Sequence, residues 1–335
     1  TRSPELGRYF QAMMWYGTVG FELDGPREEA GLIERHCLQA LLLVKFMAEN
    51  EWGRSLWTRI YEPTAFFVGG ADDLTWRDYL EVARQVYGRE LSLEALARYE
   101  QLEQFIAEAR RRLPAPRIAP AFLEADEAGK LQQVEARPQG RQMRFMGQRF
   151  IPDSYVLQQL VYPLVGQNES GEWRYWPMGL DVMAALGSRR ARALLLERYR
   201  QGQYANYEIQ LAKVTRELAE RDETEWTQNL YWGWLNALRP LLEPKGEGYP
   251  TFMRSGAWLD KELMTALGSW AQLRHDTILY GKPSGAEAGG PEEKRVQGYV
   301  EPYPEVFGLL GYLAYLTKTG LRTHGLLSKK LDDIL

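Results

Sequence analysis

Along most of this chain, apolar side chains return every three or four residues, which is the spacing of one face of a helix. The clearest case is Leu93, Leu96, Ala97, Leu102, Phe105, Ile106 and Ala109 behind Ser92, a good N-cap. They predict a helix running to about Arg112 and stopped by Leu113-Pro114. Thr75 with Asp78 three residues later has the form of a capping box, and predicts a helix from Trp76 to Val86 that Gly88 closes. Residues 27–50 predict another, with Leu32, Leu38, Leu41, Leu42, Lys45 and Phe46 giving it an apolar side. Residues 153–162, 188–200, 203–221, 224–242, 257–280 and 303–318 read the same way. The predicted fold is all-α, with about ten to twelve helices in one compact array and few or no short strands. A double-layered helical ring or an irregular α/α bundle would satisfy that pattern.

Two stretches depart from it. Residues 114–152 hold Pro114, Pro116, Pro120, Pro138 and Pro152, and Gln142 to Met146 reads as a short strand or an extended crossing. This divides the chain into a helical part at 1–113, a Pro-rich crossing at 114–152 and a second helical part at 153–335, the two parts packed as one domain. Residues 281–298 carry no apolar anchors and read as a mobile surface loop. Met183-Ala184-Ala185-Leu186-Gly187-Ser188 returns as Met264-Thr265-Ala266-Leu267-Gly268-Ser269, which is either the trace of a duplicated helix pair or a chance match of Ala and Leu.

Composition bears on chemistry mainly by exclusion. A chain of 335 residues that is 45% hydrophobic and 26% charged is globular. Its net charge of −4 argues against a nucleic-acid partner, since such domains are usually basic. Cys37 stands alone, so no intrachain disulfide forms, and His36, His275 and His324 lack zinc spacing, so no metal and no cofactor is expected. The longest apolar run, Phe307 to Leu316, falls well short of the ~20 residues of a membrane span. No phosphate-binding glycine loop, nucleophile elbow, Ser-x-x-Lys or His-Glu-x-x-His motif is present.

Three groups of residues carry candidate chemistry. Arg274 falls on the apolar stripe of its helix and must find a partner there, either a carboxylate from a neighbouring helix or a ligand. In the second case His275 could titrate near neutrality, with Asp276 as its orienter or as an acid. The loops Trp173-Arg174-Tyr175-Trp176-Pro177 and Val300-Glu301-Pro302-Tyr303-Pro304-Glu305 place aromatic faces beside carboxylates. Sugars and peptide side chains bind such surfaces, and loops that anchor themselves in a core use the same residues. Trp226, Leu230 and Trp234, at four-residue spacing, read as core.

Several blocks together resemble a known family. They are Thr1 to Phe10 with Ala12-Met13-Met14-Trp15, then Phe145-Met146-Gly147-Gln148-Arg149-Phe150-Ile151-Pro152-Asp153-Ser154-Tyr155, then Trp258 to Tyr280. The family is prokaryotic, is defined by a domain of unknown function, and has long members that often carry a signal or lipoprotein leader. The resemblance implies that this chain is the helical middle of such a protein, that missing flanking sequence packs on it, and that its address is extracytoplasmic. It brings no catalytic residue.

The reading is therefore an extracytoplasmic helical protein of unknown activity, a binding or scaffold module for a peptide or a carbohydrate. Its candidate ligand-binding residues are Trp173, Tyr175, Trp176, Arg274, His275, Asp276, Glu301 and Tyr303. The alternative is a metal-independent, glycosidase-like hydrolase that uses paired carboxylates or His275 and Asp276 in an aromatic cleft.

Overall fold

A computed structural model describes residues 3–25, 29–118, 140–281, 301 and 303–335, together with the backbone of 124–125 and 131–132. Apart from Gly281, the expected loop at 281–298 lies outside the described residues, as does much of the Pro-rich crossing.

The first helical group comprises α1 (Pro4–Thr18), α2 (Ala30–Glu49), α3 (Glu51–Val68), α4 (Trp76–Tyr87), α5 (Leu93–Leu96) and α6 (Tyr99–Arg112), with strand β1 (Gly20–Glu22) between α1 and α2. Thr75 and Asp78 form the anticipated capping box of α4. Ser92 accepts from the Ala95 amide, but the helix it caps ends after one turn. The backbone breaks at Ala97-Arg98 and α6 starts anew, so the single predicted helix is two. Leu96 lies on one side of the break and Leu102 on the other, and both are buried, which is why the periodicity runs through it. Helices α1 and α3 went unread, although Ser3 and Asn50 cap them with side-chain oxygens. The core here forms where Ile33, Cys37, Leu41 and Val44 of α2 meet Tyr79, Val82 and Ala83 of α4 and Leu102, Phe105 and Ala109 of α6.

After two short paired strands, β2 (Glu124–Ala125) and β3 (Leu131–Gln132), comes the strand β4 (Gln142–Arg144). It runs antiparallel to β1, with Gly20 opposite Arg144 and Glu22 opposite Gln142. The residues that follow it are stitched on several sides. Trp57 Nε1 donates to the Phe145 carbonyl at 2.7 Å, the Arg149 amide donates to Tyr280 at 2.6 Å, and the Phe150 amide donates to Gly70 at 3.0 Å. The Arg149 side chain is fully buried on neutral partners. It lies over the Tyr61 ring, and its Nη2 donates to Thr64 Oγ1 at 2.8 Å.

The second group comprises α7 (Pro152–Gln159), α8 (Gly179–Ala185), α9 (Arg189–Ala193), α10 (Tyr207–Ala219), α11 (Glu223–Trp226), α12 (Leu230–Leu238), α13 (Gly256–Thr277), α14 (Pro304–Thr323) and α15 (Lys329–Ile334). Short α8 is central: Asp181 to Ala185 are all buried, and α7, α9, α10 and α13 pack around it. Gly179 permits the approach of α13, since a Cβ there would meet Trp270 at 2.9 Å and Leu267 at 3.0 Å. The predicted helix at 224–242 is α11, α12 and a 3₁₀ turn at Arg239–Leu242. Trp226 is buried as core, whereas Trp234 is exposed and donates to Ser269 Oγ at 3.0 Å, which corrects its core reading.

The repeated hexapeptide adopts two unlike structures. Gly187 stands at φ +110° just past the end of α8, while Gly268 is an ordinary residue inside α13. The match is therefore not a repeated structural unit. The expectation of a mostly helical, compact array holds, with two small β-ribbons as its strands.

Candidate functional site

Arg274 turns inward from α13. Its Nη1 donates to Asp153 Oδ2 at 2.6 Å and to Ser154 Oγ at 3.2 Å. Asp153, the second residue of α7, is fully buried and also accepts from Trp270 Nε1 at 2.8 Å and from the Tyr231 hydroxyl at 2.9 Å. Burial followed by the charge of Asp153 raises the Tyr231 phenol well above its ordinary range. This is the buried ion pair anticipated for Arg274. His275 and Asp276 face solvent, with side chains 79% and 62% exposed and 3.3 Å between His275 Nδ1 and Asp276 Oδ1. Within one turn of helix, rotation about the axis thus sends Arg274 into a closed interior network and His275 and Asp276 out to the surface.

The aromatic loop ahead of α8 also divides. Trp173 and Tyr175 pack against Tyr162, at centroid separations of 4.9 and 5.7 Å, and Trp176 is 60% exposed. Arg174 points into the core instead. Its Nη2 donates to Asp181 Oδ2 at 2.7 Å, and Asp181 accepts from the Tyr207 hydroxyl at 2.6 Å. The loop is held by a second buried arginine–aspartate–tyrosine network that nothing in its local sequence advertised.

Tyr303 and Glu301 come together with other groups at the far end of α13. Trp258 Nε1 donates to the Tyr303 hydroxyl, and Glu301 pairs with Lys261. Trp258 and Arg274 are sixteen positions apart on α13, about 24 Å at helical rise, so Tyr303 and Arg274 do not share a cleft.

Beside Tyr303 lies an open cleft of about 380 Å³ between the segment 236–249 and the start of α14. Asn236, Arg239, Glu243, Lys245, Tyr249 and Glu305 line it. The Tyr249 hydroxyl donates to Glu305 Oε2 at 2.6 Å, and that bond, more than burial, pushes its pKa up to about 12 and holds Glu305 below the usual carboxylate range. Arg239 is drawn aside, over the Trp226 ring at 4.7 Å and onto Asn236 Oδ1. In the cleft wall the Lys245 ammonium donates to the Pro240 carbonyl and lies 3.6 Å from Glu262 Oε1. Glu262 is fully buried in α13. Burial, and then this carboxylate, raise the neighbouring Tyr303 phenol far above its ordinary value.

Chemically the cleft offers carboxylates and a phenol in its lining and an ammonium in its wall, in a volume suited to one small molecule or a few residues of a polymer. None of the eight candidate ligand-binding residues singled out by sequence lines the cleft; Tyr303 adjoins it through the Lys245 ammonium, 5.2 Å from its ring, and Glu305 of the same loop lines it. Lys245, Tyr249 and Glu262 were missed, since Pro244-Lys245-Gly246-Glu247-Gly248-Tyr249 reads as an ordinary turn. Among the described residues, no group of three or more His, Cys, Asp or Glu side chains could hold a metal ion, and no helix is long and apolar enough to cross a membrane.

A family profile described as a protein of unknown function matches residues 1–335. No curated protein and no solved structure matches the chain.

Proposed function

Because the chain belongs to the DUF3160 family over residues 1–335, and that family's function is unknown, we propose a role from the cleft itself: a binding module for a peptide or glycan segment. The observation that carries this is the open cleft lined by Glu243, Lys245, Tyr249 and Glu305, which combines charged groups of both signs with an aromatic side chain. Flat aromatic and hydrogen-bonding surface of this kind suits a polar chain lying across it. An extracytoplasmic address is part of the proposal, supported by the resemblance to proteins that carry leaders. So is the packing of flanking sequence on the chain, supported by Leu6, Phe10 and Trp15, which α1 leaves exposed.

Calorimetric titration with short peptides and oligosaccharides tests the proposal. Saturable binding that weakens at least about tenfold in Tyr249→Phe and Glu305→Gln, with unchanged melting temperatures, is the expected result. Binding indifferent to both substitutions would place the ligand elsewhere.

A second reading, the metal-independent hydrolase, is favoured by Glu243 and Glu305 lining the same cleft. Two carboxyl groups about 5 to 9 Å apart can cleave a glycosidic bond. Release of shortened oligosaccharide that stops in Glu305→Gln would select it over simple binding.

A further inference from the structure

The wall of the cleft contains a side chain already bound in a way that a ligand could imitate. The Lys245 side chain is 7% exposed, with its ammonium held by the carbonyls of Pro240 and Glu243, by the carboxylate of Glu262, and by two aromatic faces. Those faces are Tyr303, with its centroid at 5.2 Å, and Tyr249 at 5.7 Å. Carbonyls, a carboxylate and ring faces are the groups that recognise an alkylammonium ion. The enclosure is incomplete on the anionic side. Glu262 is fully buried, with the Tyr303 phenol beside it and the Lys245 ammonium at 3.6 Å, beyond hydrogen-bond distance, so its carboxylate has room for a better-seated ammonium. Lys245 sits beside Gly246 and Gly248, at neither of which would a Cβ meet a neighbour, and Gly248 stands at φ +102°. Outside the wall, Glu243 and Glu305 line the mouth, while Arg239 is engaged with Trp226 and Asn236.

We infer that the cleft takes a peptide carrying a lysine side chain, whose ammonium replaces that of Lys245 over Glu262 between Tyr249 and Tyr303. This rests on the reading of the cleft as the binding site. Lys245 serves as a tethered occupant that competes with the ligand. A lysine peptide is favoured over an amino sugar because the enclosure already fits an ammonium on an unbranched four-carbon stem.

The test is calorimetry with end-blocked pentapeptides of alanine carrying lysine, Nε-acetyl-lysine or norleucine at the centre, alongside glucosamine and N-acetylglucosamine tetramers. The lysine peptide should bind the wild-type chain at least about tenfold more tightly than either neutral peptide. In Lys245→Met, where the resident ammonium is gone, its affinity should rise by about tenfold or more, and in Glu262→Gln binding should be lost. Equal binding of lysine and acetyl-lysine peptides would overturn the inference while leaving a peptide-binding module in place. Preference for either sugar would also overturn it, in favour of glycan binding. If none of the five ligands binds, both the inference and the cleft reading fall. Should either variant fail to fold, the wild-type comparison of charged and neutral peptides decides alone.

Discussion

Arg274 and Asp153, 121 residues apart in sequence, meet 2.6 Å apart beneath Tyr231 and Trp270. The pair joins α13 to α7 across the second core, and both groups are withdrawn from water. Removing one member strands the other charge in a medium that solvates it poorly. Arg274→Ala should therefore cost about 3 to 5 kcal/mol, and the double variant with Asp153→Asn clearly less than the sum of the two singles. Urea unfolding of the four species measures this. An additive result would mean that the two groups do not support one another.

Its two sequence neighbours should behave oppositely. His275→Ala and Asp276→Ala remove exposed side chains and should each change stability by no more than about 0.5 kcal/mol. Trp176→Ala should be similarly mild because the indole is mostly in water, whereas Trp173→Ala loses a ring packed edge-on to Tyr162 and should lower the melting temperature clearly. Equal losses for the two tryptophans would show that Trp176 is buried in solution.

Three glycines give a graded backbone test. Gly268 lies inside α13 with open space around it, so Gly268→Ala should stabilise by about 0.5 to 1 kcal/mol. Gly187 at φ +110° should lose stability as alanine, and Gly179→Ala should lose it by driving a methyl group into Trp270 and Leu267. Thermal melts of the three variants should fall in that order of sign.

Alkaline pH should loosen the first core. Burial pushes the Cys37 thiol from 9.0 up to about 12, and burial likewise pushes the Tyr87 phenol from 10.0 up to about 12. Between those values the unfolded chain has released protons that the folded chain retains, so stability falls as pH rises through roughly 9 to 12 and is level below that window. Cys37 should also resist iodoacetamide at pH 8.5 until denaturant is added. Rapid labelling of the native chain would show that the thiol is reachable.

What could be read in the sequence was what lies close along the chain. Thr75 and Asp78 announce their helix because a capping box closes over three residues, and Leu113-Pro114 announces an end because proline removes a donor locally. The break at Ala97-Arg98 left no mark, since buried residues continue in phase on either side of it. The charged partners were invisible for the opposite reason. Asp153 could have answered any arginine, and only the packing of α13 on α7 selects Arg274. Lys245 and Glu262 sit on elements whose local patterns are a turn and a polar helical position, so their meeting depends wholly on how the segment 239–249 folds back. That Arg274 needed an interior partner was legible; which residue supplies it was not.

The pairing of β1 with β4 has a consequence for how the protein is made. Met143 and Met146, on and just after β4, are buried members of the first core, although some thirty residues separate them from the end of α6. During synthesis, a nascent chain that has emerged only as far as Arg112 therefore exposes an open seam along Gly20–Glu22 and a core short of two methionines. The ribosome must deliver residue 146 before the amino-terminal half can close. Two polypeptides split within the crossing should accordingly regain the native form only as a complementing pair.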